Sequence, residues 1–129
     1  MKETIENSAD VEHVLRQAWQ DDIRGIESFY VVALNRANKV ININCVSKGG
    51  VSSTVVDPKI VFLHAIKSGA SFIIVAHNHP SATLKPSSED IKITEKLKQA
   101  GKMLDMPLLD HLILAPEAGY YSFADHGEM

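Results

Sequence analysis

Apolar and polar positions recur with different periods along this chain, and each change of period marks an element. Behind Asp10, the residues Val11, Val14, Leu15 and Ala18 fall at helical spacing, which predicts a helix over residues 10–20 with a polar first turn. Phe29 to Leu34 reads as a strand and Asn35-Arg36-Ala37-Asn38 as a turn. The alternating Ile41-Asn42-Ile43-Asn44-Cys45 is then a half-buried partner strand that closes a hairpin. Lys48-Gly49-Gly50 turns the chain again, and residues 51–56 are a candidate third strand. Asp57-Pro58 opens a helix with proline at its first position, which runs to about Ser68 and stops at Gly69. Ser71-Phe72-Ile73-Ile74-Val75-Ala76 reads as a strand covered on both faces. Ile93, Leu97, Ala100 and Leu104 mark one face of a long helix from about Ser88, and Leu108 to Leu114 returns as a strand.

This order implies an α/β fold in which helices flank a mixed β-sheet. No repeat, low-complexity segment or linker interrupts it, so residues 1–129 read as one domain. With 129 residues and 45% hydrophobic content, the chain can bury a core. A single cysteine, Cys45, excludes an internal disulfide framework and any Cys-based metal site. No run is long enough for a signal peptide or a membrane span, which leaves the cytoplasm as the default compartment. The net charge of −3 supplies no global basic field for nucleic acid, so DNA binding is expected to be weak and unspecific. Lys92, Lys96, Lys98 and Lys102 alternate with apolar positions and read as a solvated helix face.

Chemistry concentrates in one stretch, His77-Asn78-His79-Pro80-Ser81 followed by Pro86-Ser87-Ser88-Glu89-Asp90. His77 and His79 stand at the carboxyl end of the apolar strand, and side chains two apart on a strand point the same way. Asp90 can add an oxygen. Two imidazole nitrogens and one carboxylate suit zinc, and three protein ligands leave a fourth position for water, as in catalytic zinc sites. The carboxyl end of a central strand is also where open α/β sheets place their ligands.

The spacing His-x-His-x7-Ser-x2-Asp resembles that of the JAMM (MPN/JAB) metallopeptidase family. The longer string, with Glu27-Ser28-Phe29, Leu109-Asp110-His111-Leu112-Ile113 and Tyr121-Ser122-Phe123-Ala124, resembles its bacterial RadC-like branch over roughly residues 10 to 127. The resemblance implies a JAB/MPN architecture, shared in outline with cytidine deaminases. It implies His77, His79 and Asp90 as ligands of Zn2+, and Glu27 as the general base that activates a zinc-bound water. Ser87 would hydrogen-bond the oxyanion, and the substrate would be a peptide or protein. Ala82 departs from the glycine that many members carry after His-Pro-Ser, and Asn78 from the Ser or Thr of the deubiquitinating members. Full-length RadC-like proteins carry an N-terminal helix-hairpin-helix module; nothing in this sequence corresponds to it, so no DNA-binding role is expected from one.

Two readings of different class follow. One is a zinc-dependent hydrolase of metallopeptidase or isopeptidase type. The other is a non-catalytic accessory module, associated with DNA repair, that uses the same fold to bind a partner. A nucleotide deaminase would need His-x-Glu and Pro-Cys-x-x-Cys, and one cysteine excludes it. Ser87-x-x-Asp90 also reads as a helix cap, and both roles can hold together because a capped start would fix Asp90 in place. His111, beside Asp110, reads as a hydrogen-bonded structural histidine. His13, His64 and His126 read as structural or solvent-facing, Cys45 as a small core residue and Trp19 as packing.

Overall fold

The computed structural model describes residues 3–49, 56–117 and 119–129. The first helix, α1 (Ser8–Ala18), starts earlier than residue 10, because Asn7 takes the cap. Its side chain accepts from the Asp10 amide while Asp10 accepts from the Glu6 amide. The hairpin follows as β1 (Ser28–Leu34) and β2 (Val40–Lys48), the latter longer than its alternating stretch at both ends. The candidate strand over 51–56 falls almost wholly on residues outside those described. Asp57 caps α2 (Pro58–Lys67) through the Lys59 amide, with proline in the first turn as expected. Then come β3 (Phe72–Asn78), α3 (Ser88–Met103), β4 (Leu108–Leu114) and β5 (Tyr120–Ser122). Strand β5 has no counterpart in the hydropathy pattern, since three residues on a sheet edge are too few to show a period.

The five strands form one sheet in the order β2-β1-β3-β4-β5. Pairing is antiparallel except between β3 and β4, which run parallel, so the sheet is mixed as predicted. Every residue of β1 is buried, because the sheet is covered on both faces. On one face α2 and α3 lay Val61, Phe62, Ala65, Ile93 and Leu97 against Phe29, Val31, Ile73 and Val75. On the other, α1 lays Val11, Val14 and Leu15 against Tyr30, Val32, Leu34, Ile74 and Leu112. Trp19 stacks on Tyr30 at a 4.1 Å centroid distance, the packing role expected of it. Cys45 is half-buried on the edge strand, against the second of these clusters. Lys92 and Lys96 are exposed on α3, and none of the described helices is long and apolar enough to cross a membrane.

One glycine fixes how α3 meets the sheet. A Cβ on Gly101 would lie 2.6 Å from the Met106 carbonyl oxygen, a backbone atom that cannot swing away, and the Met106 amide already donates to the Gly101 carbonyl. Alanine improves helix propensity by about 1 kcal/mol, whereas such overpacking costs about 1–3 kcal/mol. Gly101→Ala is therefore expected to lower the denaturation midpoint, measured by urea or heat; a midpoint above that of the native chain would contradict the close approach.

Candidate metal centre

Strand β3 is central in the sheet, and His77 stands near the end of its buried run with none of its surface exposed. His79 follows just beyond the strand. Asp90 arrives from the opposite direction, in the first turn of α3, and is 1% exposed. Ser87 is the cap of that helix: its Oγ accepts from the Asp90 amide at 3.1 Å, and its own amide donates to Asp90 Oδ2 at 2.8 Å. The reciprocal pair holds the carboxylate rigidly under the histidines. Capping and the metal motif thus coincide, as the spacing allowed.

The three side chains meet. His77 Nε2 lies 3.0 Å from His79 Nε2 and 3.1 Å from Asp90 Oδ1, and His79 Nε2 lies 3.3 Å from Asp90 Oδ2. Proton placement decides what this cluster wants. His79 Nδ1 is 2.5 Å from the Thr83 carbonyl, which can only accept, so Nδ1 carries a hydrogen and the neutral ring turns a bare Nε2 toward its neighbours. Two imidazole nitrogens and a carboxylate facing one another at about van der Waals distance repel unless a cation lies among them. In the protein alone a proton answers part of that demand. Hydrogen bonding to Asp90 raises His79 above its ordinary value against the opposing effect of burial, with the charges of Asp90 and Glu27 adding to the rise. Burial works to raise the Asp90 carboxyl, but its close contacts with His77 and His79 outweigh it and hold it far below the usual carboxylate range. A divalent ion satisfies the same set more completely. These three residues form a group able to hold a metal ion.

Glu27 sits just ahead of β1, half-buried. Phe29 pairs with His77 in the antiparallel ladder, and that register continued by two residues sets Glu27 across from His79. Its loop is tied down by Asn78, which lies between the two histidines and so projects to the other side of the strand. Asn78 Oδ1 accepts from the Ser28 amide at 2.8 Å, and its Nδ2 donates to the carbonyls of Ile23 and Ile26 at 2.8 and 3.0 Å. These bonds bracket Glu27. A Ser or Thr at this position is too short to make all three, so the departure noted in the sequence is a clamp. The other departure has a backbone reason. Ala82 has φ +70°, and its amide donates to the His79 carbonyl. Glycine adopts that conformation freely, while alanine holds it at a cost of roughly 1 kcal/mol.

His111 is the structural histidine its setting suggested, fully buried, with its amide bonded to Asp110 Oδ1 at 2.7 Å. Its ring nevertheless reaches the centre. His111 Nε2 lies 2.8 Å from His77 Nδ1, and its Nδ1 lies 2.5 Å from Thr94 Oγ1. Burial first, and the neighbouring His77 next, push its pKa well below the ordinary histidine value, so the ring is neutral. Asp110 also accepts from Ser122 Oγ at 2.6 Å and from the Ala124 amide at 2.9 Å. Those bonds seat Phe123 flat on His111 at 4.8 Å, while Phe29 meets the ring edge-on at 5.8 Å. The stretches 109–113 and 121–124 are thereby explained as a frame around one imidazole. Thr94 is a residue that sequence reasoning missed. Its one signal was its place four residues after Asp90 on the same helix face. His13 and His126 are exposed and His64 is half-buried on α2, all apart from the centre.

The comparisons with known proteins agree with this geometry. The chain is 50% identical over 101 residues to a UPF0758 protein of Flavobacterium johnsoniae, a stretch that is 78% of this chain and 44% of the relative. It is 40% identical over 123 residues to a UPF0758 protein of Rubrobacter xylanophilus, covering 95% of this chain and 52% of that protein. It is 43% identical over 101 residues to a UPF0758 protein of Porphyromonas gingivalis, again 78% of this chain and 44% of the relative. The chain therefore spans about half the length of the curated relatives it matches. Residues 5–128 match the RadC-like JAB domain family, and with a JAB-type mixed sheet and a His-His-Asp group in place, the chain belongs to that family.

Proposed function

We propose that this chain is a zinc-dependent hydrolase of the metallopeptidase or isopeptidase type, acting in the cytoplasm on an amide bond of a peptide or protein. The observation that carries the reading is the convergence of His77 Nε2, His79 Nε2 and the Asp90 carboxylate. Two imidazoles and one carboxylate match the donor set of a catalytic zinc site, in which three protein ligands leave a place for water. Zinc held there would supply Lewis acidity, polarising a carbonyl oxygen and lowering the pKa of water from ~16 toward ~7. Glu27, across from His79, would take the proton of the attacking water on its carboxylate and return it to the departing nitrogen. Ser87 would point its hydroxyl hydrogen at the developing oxyanion. Its Oγ already accepts the Asp90 amide, which orients the hydroxyl and leaves its hydrogen free to donate. Removing one such donor typically costs about 2.7–4 kcal/mol of barrier.

A panel of peptide and isopeptide-linked substrates, offered to the zinc-loaded protein, tests this. Cleavage of at least one member is expected, abolished by a chelator and restored by Zn2+. No cleavage across the panel at full zinc occupancy would favour the accessory-module reading.

A further inference from the structure

The histidine pair His77–His111 continues into α3. Thr94 Oγ1 lies 2.6 Å from the Asp90 carbonyl oxygen and 2.5 Å from His111 Nδ1, and is itself 3% exposed. A hydroxyl has one hydrogen to give. The carbonyl can only accept, so at 2.6 Å the hydroxyl hydrogen must point to it; otherwise two oxygen lone pairs would face each other in a dry interior. Thr94 Oγ1 is then an acceptor toward His111, which places the His111 hydrogen on Nδ1. That leaves His111 Nε2 bare, and it must accept from His77 Nδ1 at 2.8 Å. His77 therefore carries its hydrogen on Nδ1 and turns the lone pair of Nε2 toward His79 and Asp90.

We infer that Thr94 and His111 are positioning residues: a one-way hydrogen-bond relay, His77 to His111 to Thr94 to the Asp90 carbonyl, fixes the tautomer in which His77 can bind a metal. The inference rests on the metal-centre reading for its purpose, but the direction of the relay does not. The relay begins on His77 and ends on the backbone of Asp90, so one ligand's tautomer is set from the residue that supplies another. Phe123 lies flat on the intermediate ring at 4.8 Å, Phe29 meets it edge-on at 5.8 Å, and His111 itself is fully buried.

Isosteric changes at Thr94 separate this role from packing. Thr94→Val keeps the shape and deletes the hydroxyl, whereas Thr94→Ser keeps the hydroxyl. Without its acceptor, His111 can shift its hydrogen to Nε2, which drives the His77 hydrogen onto the ligand nitrogen. Zn2+ titrations of the metal-free proteins should show affinity falling about 10–100-fold in Thr94→Val and remaining native in Thr94→Ser. Long-range ¹H–¹⁵N spectra of the metal-free native chain, at alkaline pH, should show hydrogen on Nδ1 of both His77 and His111. Hydrogen on Nε2 of either ring would overturn the relay, and the native spectrum decides this even if Thr94→Val fails to fold. Unchanged zinc affinity with an unchanged His77 tautomer in folded Thr94→Val would overturn it too. Failure of the native chain to take up zinc, with the tautomers as assigned, would instead count against the metal-centre reading.

Discussion

Replacing Glu27 with glutamine is expected to slow hydrolysis by about 10²–10⁴-fold, the usual contribution of a positioned general base, while metal content and folding stay native. The separation follows from where Glu27 sits. It is not one of the three converging ligands, it stands across from His79 by the register of β1 on β3, and its half-buried side chain fills no part of either core cluster. Its backbone carbonyl accepts from Gly49, a bond that glutamine retains. The amide keeps size and polarity and loses only the basic oxygen. Steady-state rates on any cleaved substrate, alongside zinc content, check this. Full activity in the variant would move the base to another carboxylate. Glu89→Gln is the matching control. Glu89 adjoins Asp90 but turns toward Lys92 at 3.9 Å, an exposed pair worth little, so neither zinc nor rate should change by much.

Most of the fold was legible because its elements carry strong periods. Strand β4 matches its expected span, Leu108 to Leu114, end to end, and the Asp57-Pro58 start of α2 is a cap whose chemistry is local. Misjudged boundaries have local causes as well. Helix α1 begins at Ser8 because an Asn7 amide side chain can cap as well as an aspartate, and apolar periodicity says nothing about which polar residue does so. Strand β3 runs on through His77, paired with Phe29 of β1, and Asn78, paired with Leu114 of β4, since a ladder continues wherever backbone partners exist, whatever the side chains.

The candidate centre divides in the same way. His77, His79 and Asp90 could be read from spacing because a strand end and the next helix start are close in sequence. Ser87 and Asp90 could be read because a capping box is a four-residue pattern. What surrounds them was illegible for a stated reason. His111 meets His77 only through the parallel register of β3 on β4, across a sequence separation of 34 residues, and no local pattern encodes which residue of β4 stands beside which of β3. Asn78 was visible as a departure, but its clamp on Ile23, Ile26 and Ser28 depends on a loop fifty residues away. Ligands are local; their supports come from tertiary structure.

Asp90→Asn should remove the metal and leave the protein folded. Asparagine can keep the cap, its carbonyl oxygen accepting from the Ser87 amide in place of Oδ2, while its N–H group takes the place of Oδ1, 3.1 Å from His77 Nε2. A donor then faces the imidazole lone pair, so the repulsion that calls for a cation is relieved within the protein itself. The anionic ligand is lost at the same stroke. Zinc affinity should fall by more than the roughly 10–100-fold that losing a supporting group costs, with thermal stability of the metal-free variant close to native. The most direct measurement is zinc per chain, by elemental analysis after equilibration with excess Zn2+ and desalting, for the native protein and Asp90→Asn side by side. One zinc per native chain and almost none in the variant is the predicted result; equal zinc in both, or none in the native protein, would contradict the metal centre.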